Sequence, residues 1–283
     1  MALVILAAAL QALLFLLFRS FEERRIPLMP AIAVNYMVAT LFGVLIAPPW
    51  LAGPLGALWL PSAGVGILFV LIFFLTGITA QRDGVAASTV ASKMSVVLTV
   101  LFSVLVHHEI PGILGWTGLM FAVSGVVLAS WAERGTGIGK LSWFPLVLFI
   151  GTACIDVSLN VVQRNMLNAG THAVFPTMCT AIAGALAFAI VVARGSASSL
   201  ARANVWFGGG VLGLLNYATL YFVVQALANS GMQASIVFPL ISVGVILLGT
   251  LGSMVLFRER LTRTRTVGIG FAVIAVTLLI LAH

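Results

Sequence analysis

Residues 84–129 return near the C-terminal end of the chain. The first copy reads GVAASTVASKMSVVLTVLFSVLVHHEIPGILGWTGLMFAVSGVVLA; the second opens as GMQASIVFPLIS at Gly231 and closes as VLFRERLTRTRTVGIGFAVIAVTLL. Gly84, Ala87, Ser88 and Val90 match Gly231, Ala234, Ser235 and Val237, 147 positions on. Glu109 matches Glu259, and Gly118, Phe121, Ala122 and Val123 match Gly268, Phe271, Ala272 and Val273, all 150 positions on. Three extra residues therefore lie inside the second copy. A repeat at this spacing means the protein was built twice from one unit of about half its length: residues 1–135 and 136–283, together one domain. The copies differ where Lys93 stands in an apolar run, since Leu240 takes its place in the second.

Only 7% of the residues are charged and 61% are hydrophobic, with a mean hydropathy of +1.19. A soluble domain carries about 25% charged residues, so this chain is not built for water. Its net charge of +7 does not point to nucleic acid, because the basic residues sit between apolar runs instead of along one amphipathic surface. Cys154 and Cys179 fall inside apolar runs and read as small core residues, not a disulfide. No cleavable signal is expected, since residues 1–18 lack a basic leader.

The apolar runs predict an all-α integral membrane protein of ten spanning helices, near 2–18, 28–47, 62–80, 85–106, 112–131, 143–163, 173–193, 205–227, 233–256 and 266–282. The shortest gaps predict tight hairpins between helices 3 and 4 and between 4 and 5. Pro48-Pro49 ends helix 2, and Pro61 and Pro111 stand where helices begin. Trp50, Trp59, Trp131, Trp143 and Trp206 lie at helix ends, with Trp116 near the start of its helix, as in the aromatic belt of a membrane protein. Twelve of the 14 Lys and Arg follow helices 1, 3, 5, 7 and 9. The positive-inside rule puts those loops in the cytoplasm and both termini outside. With five helices per repeat, the two copies are inverted. His107-His108-Glu109 and Phe257-Arg258-Glu259-Arg260 show this, one copy free of Lys and Arg and the other rich in arginine. Inverted repeats are the architecture of secondary transporters, with the site near the midplane between the halves.

With Glu109 and Glu259 each just before the last helix of its half, with glycine-rich last helices, and with VASKMS at Val90–Ser95, the chain resembles the drug/metabolite transporter superfamily in its EamA-type ten-helix branch. The resemblance runs over the whole chain as two five-helix units, on short motifs. It implies a bacterial inner-membrane protein that exports or exchanges small metabolites through a central cavity by alternating access, without ATP. Relatives handle amino acids, drugs, sugar phosphates, nucleotide sugars and lipid-linked sugars, so it names no substrate. Many of them have cytoplasmic termini and a basic N-terminal tail. This chain lacks both features, and its own charges are taken as the guide to sidedness.

Lys93 lies about 12 Å into helix 4, where a charge is costly and should face a cavity or a partner. The competing reading is a structural ion pair or a lysine snorkelling to the cytoplasmic side. Ser92 and Ser95 flank it. Asp156 is the only acid well inside a helix, about 20 Å from the cytoplasmic end. It reads as a proton site, a counter-ion for Lys93 or substrate, or a structural hydrogen bond near the outer interface. Asn160 shares its face one turn on, and Thr152 is one turn back. Gln11, Asn35, Asn216 and Tyr217 are polar groups at intermediate depth. Together they could line one cavity; singly, each is more often an interhelical hydrogen bond. Pro239, beside Leu240, reads as a gate or as a static kink. Gly208-Gly209-Gly210 with Gly213 read as a packing surface more than a flexing one. His107-His108-Glu109 resembles a metal cluster at first sight, but reads better as interface capping, because adjacent residues do not share a helical face and no fourth ligand is evident. No cofactor or metal is expected, with coupling to a proton or another ion left open. The basic loop Arg258–Arg265 meets anionic lipid on this reading.

Three functions compete. The first is a secondary transporter for a small polar or anionic metabolite, or, as an amino-acid or drug exporter, for a neutral or cationic one. The second is a flippase for a lipid-linked sugar. The third, a membrane enzyme, lacks support, since the sequence has no H-E-x-x-H, G-x-S-x-G or P-loop. A receptor or assembly protein would not require the inverted repeat. The partners expected are a small-molecule substrate and membrane lipid, not nucleic acid. Substrate identity, coupling ion, direction and oligomeric state are not written in the residues.

Overall fold

The computed structural model describes residues 2–52, 54–95, 97–98, 101–102, 112–129, 131–132, 140–167, 171, 174–229 and 234–281. Ten α-helices are present among them. They are α1 (Ala2–Glu23), α2 (Leu28–Ile46), α3 (Trp59–Arg82), α4 (Val85–Met94), α5 (Ile113–Ala129), α6 (Trp143–Asn165), α7 (Val174–Ala193), α8 (Ala203–Asn229), α9 (Ala234–Leu256) and α10 (Arg263–Leu281). Each answers to one predicted helix. Short 3₁₀ turns fill some connections, and Trp131–Ala132 pairs antiparallel with Lys140–Leu141. Among the described residues four spans are long and apolar enough to cross a membrane, namely Ala2–Glu23, Leu28–Leu51, Gly56–Arg82 and Val174–Ala193.

Two boundaries depart from the prediction for local reasons. Helix α1 continues past residue 18 because Phe18 and Phe21 are fully buried, so the polar residues between them are carried along. It ends in a Schellman-type turn, with Arg25 at φ 50° and the Ile26 N–H donating to the Phe21 carbonyl at 2.8 Å. Helix α4, predicted to reach residue 106, is regular only to Met94. Ser95 sits in a turn, and helical backbone resumes at 97–98. The Ser95 hydroxyl donates to the Ser92 carbonyl at 2.8 Å, and the Leu98 N–H bonds only three residues back, to Ser95, at 3.0 Å. A serine that bonds its own helix competes with the regular ladder, and the result is one tightened turn in mid-helix.

The packing follows the repeat. Helix α5 lies along α10, α2 along α7, and α4 against α9; in each pair the partner is five helices on. Phe121 meets Phe271 edge-on, with ring centroids 5.1 Å apart, and these two are equivalent residues of the two copies. A residue touching its own copy lies on the axis relating the copies. In α2 and α7 the contacts are reciprocal: Gly43 lies against Thr177, and Gly184 against Tyr36 and Met37.

The chain divides into two compact units. One takes residues 1–19, 76–153 and 219–283, the other 20–75 and 154–218. Each draws helices from both repeats, so the repeat is a unit of sequence and not of packing. The first has a core around Val4, Phe15, Leu16, Val85, Ile241 and Val245. The second packs Leu58, Val65, Val162, Phe175 and Cys179 together. Cys154 is exposed, not a core residue as expected, and neither cysteine forms a disulfide. Large apolar side chains also face outward, among them Leu60, Ile113 and Val255. An apolar exterior of this kind is compatible with lipid as the solvent.

Candidate functional site

Helix α4 is a ten-residue rod with a charged group at each end. It opens at Gly84, whose φ of 94° suits only glycine. A side chain here is excluded twice, because a Cβ would also collide with the Glu259 carboxylate. The Glu259 Oε2 accepts the Val85 N–H at 3.3 Å, taking up one of the donors that a helix start leaves unpaired. A carboxylate is also favoured there by the helix dipole. The Arg265 guanidinium stands 3.8 Å from Oε1, both side chains largely buried.

Lys93 occupies the last turn of α4 and is half-buried. The helix dipole favours a cation in this last turn. Ser92 is half-buried and Ser95 buried, so a lysine and two hydroxyl residues cluster where the regular helix is interrupted. Gln11 belongs to the same compact unit. Its Oε1 is buried and accepts no hydrogen bond among the described residues. With Ala8 three residues before it and Phe15 four after, Gln11 lies on the side of α1 that packs on α8 and α9.

Asn35, Asn216 and Tyr217 come together in the other unit. The Asn216 Nδ2 donates to the Asn35 Oδ1 at 3.3 Å, and Tyr217 stacks on Phe42 with centroids 5.7 Å apart. Asn35 is wholly buried and Asn216 half-buried, and the pair bonds α2 to α8. Asp156, half-buried in α6, belongs to this second unit too, whereas Thr152, one turn back, falls in the first. Asn160 lies on α6 and Pro239 on α9, but both side chains are outside the described residues, as are Glu109, the two histidines before it and Gly231. No cluster of metal-binding side chains occurs among the described residues.

Sequence reasoning missed the contacts of two groups. Glu259 stands out in sequence as a repeat anchor amid arginines, and only the fold turns it inward onto α4. Thr219 and Thr250 are buried, and their hydroxyls have no hydrogen-bond partner among the described residues, yet a threonine in an apolar helix gives no signal of this, since it can bond its own backbone.

The comparisons add a fold and a relative. No protein-family model matches the chain. An uncharacterized protein of Haemophilus influenzae (strain ATCC 51907 / DSM 11121 / KW20 / Rd) is 22% identical over 273 residues, 92% of this chain and 91% of the relative. A protein of known crystal structure shares the fold with a TM-score of 0.64 at 18% identity, over 99% of this chain and 97% of the other. The fold is thus one that nature uses elsewhere at full length.

Proposed function

We propose that the protein is a ten-span secondary transporter of the drug/metabolite type, moving a small polar or anionic metabolite through a central cavity by alternating access. The observation that carries this reading is the tightened turn that interrupts α4 after Met94, one residue past Lys93. Transporters place their sites where helices are discontinuous near the midplane, because unwound backbone is tolerated only against a cavity or protein. A lysine at that break is a ready receptor for a carboxylate or phosphate. The pairing of α2, α4 and α5 with the helices five places on supports an inverted repeat. The exposed Trp50, Trp59, Trp143 and Trp206 at helix ends support membrane interfaces on both sides.

The test is a thermal-stabilisation screen of the purified protein against carboxylates, phosphates, amino acids and sugar derivatives. A bound ligand at 100 times its Kd adds about 2.7 kcal/mol. Hits are then followed by uptake into proteoliposomes. Stabilisation confined to cationic compounds would overturn the anionic reading.

On this proposal the arginine-bearing loops face the cytoplasm and both termini face out of it, in the bacterial inner membrane. A C-terminal alkaline phosphatase fusion should be active and a C-terminal green fluorescent protein fusion dark. The reverse pattern would refute the orientation.

A further inference from the structure

Glu259 is placed with more care than a loop residue needs. Beyond the end of α9 at Leu256, Arg258 adopts φ 52° and the Glu259 N–H donates back to the Ser253 carbonyl at 3.3 Å. The reversal aims the side chain inward, so that only 13% of it is exposed. It meets Gly84 and the Val85 N–H at the start of α4, and Arg265 from α10 backs it. The same end of this compact unit is tied by three further contacts. The Arg19 guanidinium donates to the Gln81 carbonyl, and the Gln81 amide donates to the Phe18 carbonyl at 3.1 Å. Phe257 packs on the cluster that holds Leu16 and Val85. The ends of α1, α3, α4, α9 and α10 are thus fastened at the level of the arginine-rich loops.

We propose that Glu259 is a latch and positioning residue. Its carboxylate holds the first turn of α4 against the α9–α10 turn, and through that rigid rod it sets the position of Lys93, about 12 Å away at the other end. Release of the carboxylate frees α4 and opens the arginine-loop end of the site. This rests on the transporter reading for its purpose, but the contact itself does not. A carboxylate aimed at a helix start is suited to the task because it is held by charge and one long hydrogen bond, strong enough to bias a two-state element and weak enough to break.

The experiment uses the full chain with Cys154→Ser, Cys179→Ala and Ser92→Cys, labelled by a membrane-impermeant maleimide in inside-out and right-side-out vesicles. Glu259→Gln, which keeps an acceptor and loses the charge, should raise labelling from the arginine-loop face about tenfold, and Glu259→Ala by more. Labelling from the opposite face should fall in the same variants. A rise on the arginine-loop face with no change on the other supports the latch and overturns alternating access. No rise on the arginine-loop face, or an equal rise on both, overturns the latch, since general loosening would expose both sides alike. If the Glu259 variants do not fold, Arg265→Gln carries the test with the same readings.

Discussion

Lys93→Met should abolish binding of an anionic substrate while the protein folds and inserts normally. Methionine keeps much of the length and apolar stem of lysine and loses only the charge and its three donors. Truncating one partner of a buried, hydrogen-bonded charge pair costs about 2–5 kcal/mol, so affinity should fall from about thirtyfold to several thousandfold. The check is titration of the strongest stabilising compound against wild type and variant, followed by uptake in proteoliposomes. Asp156→Asn should be milder, leaving binding partly intact and altering its pH dependence, as expected of a group that carries a proton. A Lys93→Met protein that transports at the normal rate would make the ammonium structural and the substrate neutral or cationic.

What was legible in the sequence, and what was not, divides on physical lines. Helix number and order follow from apolar runs punctuated by Arg, Pro and Gly, and all ten predicted helices have counterparts. The repeat pattern stands out in sequence at positions such as Phe121 and Phe271, which pack on each other and so restrict each other alike. The break in α4 was not legible. Serines at 92 and 95 are common in apolar helices, and the choice between bonding the ladder and bonding a neighbouring carbonyl is made by packing. The role of Glu259 was hidden for a similar reason. Its target is a backbone N–H, 174 residues away in sequence, and backbone groups leave no mark in the residue types. The polar candidates were found as a set, but their grouping was not: Asn35 and Asn216 join each other, while Gln11 shares a unit with Lys93.

Glycines 209 and 210 are neighbours on α8 and should respond to alanine with opposite signs. A Cβ on Gly209 would fall 2.6 Å from the Ala31 carbonyl oxygen and 2.7 Å from the Val34 Cβ. Neither can swing aside, since one is backbone and the other is fixed to it. A Cβ on Gly210 would meet nothing within 4 Å. Alanine gains about 1 kcal/mol over glycine in a helix interior, and overpacking costs about 1–3 kcal/mol. At Gly210 only the gain applies, so Gly210→Ala should be neutral or more stable. At Gly209 the collision outweighs the gain and reaches further. Gly209, Gly213 and Asn216 lie on one face of α8, where a Cβ on Gly213 would fall 2.7 Å from the Asn35 carbonyl oxygen and Asn216 bonds the Asn35 side chain. Close approach of small residues is what holds helices together in lipid, where no hydrophobic drive acts between them. Pushing α8 off α2 at Gly209 therefore also lengthens the Asn216–Asn35 hydrogen bond two turns away, worth about 0.6 kcal/mol in such settings. Thermal unfolding in detergent should show Gly209→Ala melting below wild type and Gly210→Ala at or above it. A Gly209→Ala protein as stable as wild type would mean that the two helices are not in close contact along this stripe.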